Sequence, residues 1–119
     1  MRSLSVPCVV QDYSDSEYCG FTFTDDAYLA LFDLMKRAYD VKHWKCTKPE
    51  MPVLFISGAE DPCMGNVRQF AKSVRAMRCA GYRDVRGKLY PGMRHEILNE
   101  KDREKVYHDI FTYICKKGL

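Results

Sequence analysis

Apolar and polar positions follow three different rhythms along this chain, and each predicts a different element. After Thr24, the residues Tyr28, Leu31, Phe32, Met35 and Tyr39 recur at roughly 3.6-residue spacing, the stripe of an amphipathic helix. Thr24 can cap it, and Asp25 and Asp26 suit the positive end of the helix dipole. A stripe of this kind requires something to cover it. Val53, Leu54, Phe55 and Ile56 instead form a continuous apolar run between Pro52 and Ser57-Gly58. Unbroken hydrophobicity over so short a span predicts a strand covered on both faces, as in a parallel sheet with helices on each side. From Asp84 to Tyr90, Val85, Gly87 and Leu89 alternate with Arg86 and Lys88, the pattern of a less buried strand whose charges blunt an exposed edge.

The intervals between these segments carry their own signals. Asn66 is a plausible cap for a helix lined by Val67, Phe70, Ala71, Val74 and Met77, which Gly81 stops. Asn99 can cap a final helix with Val106, Ile110 and Ile114 on one face, closed by Lys116, Lys117 and Gly118. The first twenty or so residues, with Pro7, the acids Asp12, Asp15 and Glu17, and Gly20, read as loop or fraying terminus. Residues 40–51 read as a connector. The order helix, strand, helix, strand, helix describes an α/β chain containing one right-handed βαβ crossover. Two parallel strands make a poor sheet, so the sheet is incomplete within one chain, and another segment or another chain supplies its neighbours.

Composition narrows the class. At 119 residues the chain is one domain at most, and its 46% hydrophobic content, with 8 Tyr and 6 Phe, argues against disorder. The net charge of +3 is interspersed apart from a modest cluster at Arg83, Arg86, Lys88 and Arg94, which reads as a solvated face and not as a nucleic-acid stripe. Met1 to Val10 lacks a signal-peptide core, and no run approaches transmembrane length. The six cysteines (Cys8, Cys19, Cys46, Cys63, Cys79 and Cys115) contain no C-x-x-C pair and read as free thiols, so a cytoplasmic protein is expected. His43 and Cys46 lie one helical turn apart, and with His108 they could contribute to a metal site. That falls short of the four ligands of a structural zinc, so no cofactor is expected.

Candidate chemistry lies where α/β sheets gather it, at the carboxyl ends of the strands. Gly58-Ala59-Glu60-Asp61-Pro62 follows the first strand, and Pro91-Gly92-Met93-Arg94-His95-Glu96 follows the second. Asp61 and His95 are separated by about one βαβ unit of ~30 residues, which places both on the same side of the sheet. An Asp that accepts from one imidazole nitrogen fixes the tautomer and frees the other nitrogen to relay a proton. Taken singly, Asp61 also suits a plain turn before Pro62, and His95 a plain loop position.

The surrounding residues go further. An apolar strand, G-x-x-D-P, a helix, a strand ending in Tyr, and then G-x-R-H-E resembles the end of the lysophospholipase, monoacylglycerol-lipase and serine-aminopeptidase group of α/β-hydrolases. Here these are Pro52 to Pro62 and Leu89 to Glu96. The segment Tyr18 to Thr24 with its following helix is similar to the end of the lid region in bacterial members. The resemblance implies one partial hydrolase domain, with residues 1–45 as the end of the lid and connector and 46–119 as the C-terminal βαβα portion. It makes Asp61 the orienting acid and His95 the general base of a Ser-Asp-His triad, with small acyl or lipid esters as the parent substrate. Phe21, Phe23 and Tyr28 then line an acyl pocket or simply pack the lid.

The family's serine sits on a G-x-S-x-G elbow, and none occurs in these 119 residues. Ser57-Gly58 ends a strand and is no elbow, and the oxyanion loop is also missing. The chain by itself is therefore expected to be inert. Cys63, two residues from Asp61, reads as too near the acid to act as nucleophile across His95, and Cys19 would have to fold in from the lid. The expected partners are a complementary N-terminal hydrolase half or a second copy, paired through the exposed strand edge. A non-enzymatic module that associates in this way is the alternative reading.

Overall fold

The computed structural model describes residues 6–118. Four α-helices and two strands follow in the order α1 (Pro7–Asp15), α2 (Asp25–Ala38), β1 (Val53–Gly58), α3 (Val67–Cys79), β2 (Val85–Tyr90) and α4 (Arg103–Lys117). The strands pair in parallel, with Val53 opposite Val85 and Gly58 opposite Tyr90, and α3 connects them. This is the βαβ unit that the hydrophobic pattern predicts.

Alternation along β2 sends its two faces to different helices. On one face, a β-carbon on Gly87 would meet Phe70 and Val74 of α3, so the glycine lets that helix lie close to the sheet. On the other, Tyr90 joins Met93, Ile97 and Val106 in the core cluster, with Ile56 and Ile110 packed against it. Polar ties reinforce both layers. Arg78 of α3 donates to the Val85 carbonyl at 2.6 Å, and Asp109 of α4 receives Lys88 at 2.6 Å and the Tyr90 hydroxyl at 3.0 Å.

The helix ends show why these segments begin and stop where they do. Thr24 Oγ1 accepts from the Ala27 amide, and Asn66 Oδ1 from the Gln69 amide, as their residue types predict. Gly81, at φ +114°, donates to the Arg78 carbonyl while Tyr82 donates to Met77, a Schellman closure of α3. Gly118 ends α4 in the left-handed region.

Four expectations are corrected. The first twenty residues are not all loop. Residues 1–5 lie outside the described residues, but Pro7–Asp15 is helical, because Pro7 occupies the first helical position, where its missing N–H costs nothing. Asn99 does not cap α4. The chain instead turns from Ile97 to Asp102, Asn99 donates to Glu96, the buried Glu100 carboxylate accepts the Arg94 amide, and the helix starts at Arg103 with Asp102 in the cap position. β1 is not fully covered: Val53 to Ser57 are all only part-buried, and among the described residues β2 pairs with one of its edges. Finally, the α2 stripe is left largely open among the described residues: Tyr28, Leu31, Phe32, Met35 and Tyr39 are all exposed, Phe32 at 60% and Tyr39 at 65%.

Candidate functional site

Backbone hydrogen bonds knit the two loops at the carboxyl ends of the strands. Beyond β1, the Ala59 amide donates to Tyr90 at 2.9 Å and the Glu60 amide donates to Met93 at 3.0 Å. Gly58 permits this approach, because a β-carbon there would overlap the carbonyls of Met93 and Arg94. From below, Glu100 grips the Arg94 amide at 3.1 Å and so holds the residue immediately before His95.

Asp61 and His95, 34 positions apart, meet across these loops. His95 Nδ1 lies 3.2 Å from Asp61 Oδ1 and 3.1 Å from Oδ2. The same carboxylate accepts from the Cys63 amide at 2.8 Å and from the Ser57 hydroxyl at 3.3 Å. Burial pushes the Asp61 carboxyl up, but hydrogen bonds from His95 and the Cys63 amide, the charge of His95 and the Ser57 hydroxyl outweigh it and hold the group below its ordinary value. Asp61 is 8% exposed, whereas 51% of the His95 side chain is open to solvent. A carboxylate with this donor set stays ionised and selects the imidazole tautomer with hydrogen on Nδ1. Nε2 is then the nitrogen without a hydrogen, free to accept one.

An open cavity of about 650 Å³ lies beside the pair, walled by Met35 and Tyr39 of α2, Phe55 and Ile56 of β1, and Met64 and Phe70. A second hollow of about 390 Å³, lined by Ile56, Ile97 and Leu98, also reaches His95. Phe21, Phe23, Tyr28 and Phe32 form a chain of ring contacts with centroid separations of 5.4 to 6.4 Å. None of these four rings lines the larger cavity, and α2 reaches it through Met35 and Tyr39.

One residue gains a place here that linear spacing denied it. Cys63 sits two positions from Asp61, but Asp61 caps a short 3-10 turn over Pro62–Met64 that folds the chain back. Donor atoms of Asp61, Cys63 and His95 consequently lie within 4.8 Å of one another. The thiol is a poor nucleophile even so, because burial and the neighbouring Asp61 charge push its pKa up. His43, Cys46 and His108 do not form a three-ligand cluster among the described residues; His43 pairs with Asp40 at 2.7 Å, and His108 Nε2 lies 3.5 Å from Thr112 Oγ1. Glu100 carried no sequence signal as a loop anchor, since a lone acid beside a candidate cap reads as surface.

The basic cluster is satisfied locally, with Arg83 on Glu50, Arg86 on Asp84, Lys88 on Asp109, and Arg94 also engaged. No helix among the described residues is long and apolar enough to cross a membrane.

A parallel strand pair flanked by helices, with polar side chains gathered where both strands end, defines a mixed α/β module. The sequence model of the family described as "Serine aminopeptidase, S33" matches residues 3–102, and the chain belongs to that family, which makes the module hydrolase-like.

Proposed function

We propose that this chain is the C-terminal, acid-and-base portion of a serine hydrolase acting on carboxylic esters of small acyl or lipid-like character. The nucleophilic serine and oxyanion donors would come from polypeptide outside these 119 residues. The carrying observation is the imidazole Nδ1 set against both oxygens of a buried, fully hydrogen-bonded carboxylate. In this reading His95 Nε2 takes the proton of the attacking serine hydroxyl, Asp61 stabilises the imidazolium, and the proton passes to the departing alkoxide. Water then repeats the sequence on the acyl-enzyme. Met35, Phe55, Ile56, Met64 and Phe70 give the cavity beside His95 an apolar part that supports an acyl chain, while Gln69, Lys72 and Ser73 make the rest of its wall polar. Six free thiols support a reducing, cytoplasmic setting.

The isolated chain treated with a fluorophosphonate probe should show no serine labelling, and stoichiometric labelling would contradict the proposal. A chimera that carries residues 53–118 in place of the matching segment of an active family member should hydrolyse 4-nitrophenyl esters. His95→Gln or Asp61→Asn should lower its kcat by about 10³-fold or more. A folded chimera indifferent to both changes sinks the assignment.

The bare α2 stripe and the two-stranded sheet support a second reading, in which the chain works as a module that pairs with a second copy of itself. Light scattering that finds a monomer at both low and high concentration would dismiss it.

A further inference from the structure

We propose that Glu100 is a positioning residue for His95, acting through the peptide unit that joins Met93 to Arg94. That unit is held at both ends. Its carbonyl accepts the Glu60 amide at 3.0 Å from the loop after β1, and its N–H donates to Glu100 Oε1 at 3.1 Å from the turn before α4. The carbonyl and the N–H of a planar trans peptide point in opposite directions, so the two partners lie on opposite sides and fix the plane between them. Gly58 packs against the same carbonyl, where an added β-carbon would overlap it.

His95 comes one residue later. Half of its side chain, 51%, is open to solvent, so neighbouring side chains hold it only in part and its place depends on the backbone that carries it. A turn of the Met93–Arg94 plane is passed on through Arg94 and moves Nδ1 off the two Asp61 oxygens that it faces at 3.1 and 3.2 Å. The bond from the Glu60 amide fixes one point of that plane, and Glu100 supplies the second point that stops rotation.

Glu100 is itself firmly placed. It is 3% exposed, and its own carbonyl accepts the Arg103 amide at 3.2 Å, which ties it to the start of α4. Val106 anchors α4 in the core with Tyr90, Met93 and Ile97. Rigidity thus runs from the core through α4 and Glu100 to the histidine loop. The placement is measured without any ester, whereas its effect on turnover rests on the proposed hydrolase role.

The test compares the full chain with Glu100→Leu, which fills the space but offers no acceptor, and with Glu100→Gln, whose amide oxygen still accepts. With the imidazole neutral, nitrogen-15 shifts should place the His95 hydrogen on Nδ1 in the natural chain. Glu100→Leu should move the tautomer ratio several-fold toward the Nε2–H form, and Glu100→Gln should recover most of that loss. Glu104→Gln, which alters an exposed acid in the first turn of α4, should leave the ratio as it is. In the ester-hydrolysing chimera, Glu100→Leu should lower kcat by about 10²-fold with little change in KM, a split expected of misplacement and not of general loosening. A folded Glu100→Leu chain with the natural tautomer ratio overturns the proposal. Should that variant fail to fold, hydrogen exchange of the Arg94 amide in the natural chain decides: protection supports the tie to Glu100, and exchange at the unprotected rate overturns it. A chimera sensitive to His95→Gln but not to Glu100→Leu also overturns it. One insensitive to His95→Gln refutes the hydrolase role instead, and the tautomer ratio still decides the positioning.

Discussion

Gly58 lies flush beneath the carbonyl of Arg94, so close that a β-carbon would overlap its oxygen. This contact sets the spacing between the loop that ends in Asp61 and the loop that carries His95. The obstructing atoms are backbone, which no rotamer change can move aside. Gly58→Ala should therefore cost on the order of 1–3 kcal/mol in urea denaturation. It should also separate His95 from Asp61, visible in NMR as loss of the downfield proton resonance of the hydrogen-bonded imidazole Nδ1–H. Retention of that resonance in a folded variant would mean that the loops are held by other contacts.

Asp61 predicts the acid limb of stability. Its carboxyl is held below the ordinary value, so the fold favours its ionised form. The resulting contribution is present above the unfolded value of about 3.9 and is lost as pH falls through the lowered folded value. Denaturant midpoints measured across that window should fall less steeply with acid in Asp61→Asn than in the natural chain.

Tyr90 predicts the alkaline limb. Burial, the hydrogen bond to Asp109 and the Asp109 charge push its hydroxyl up to about 12. Stability is then fully present below the unfolded value of about 10 and is lost as pH rises through the folded one. Tyrosinate absorbance should show one late-titrating group, absent in Tyr90→Phe. That variant should lose about 1 kcal/mol at neutral pH, because the bond to Asp109 is gone while Lys88 still pairs with the carboxylate.

Val106 is fully buried where α4 meets Tyr90, Met93 and Ile97. Val106→Ala should cost about 2 kcal/mol, from lost burial plus the cavity left behind. The same cavity sits under the His95 loop, so hydrogen exchange at Met93 to Ile97 should speed up more than exchange in α3. Equal acceleration in both places would show that the loop draws no special support from α4.

Local pattern alone determined much of this protein. Periodicity located α2, β1, α3 and β2 closely because each side chain's face follows from its position in a helix or strand. The caps at Thr24 and Asn66 were readable because a hydroxyl or amide beside an apolar run satisfies amides only a few residues away. That Asp61 and His95 meet was legible for a related reason: parallel strands deliver the residues that follow them to the same end. α1 was misread because Pro7 breaks a helix interior yet suits a helix start, and local composition does not distinguish the two.

What only the tertiary structure decided are relationships between segments distant in the chain, or folded back within one turn. Asp102 takes the cap position of α4 in place of Asn99, and Glu100 turns inward to accept the Arg94 amide. Cys63 joins the site because the turn capped by Asp61 reverses the chain within two residues. The exposure of α2 and β1 likewise depends on which surfaces are present to meet them. A sequence pattern records that an apolar face prefers cover, while packing decides which surface, if any, provides it.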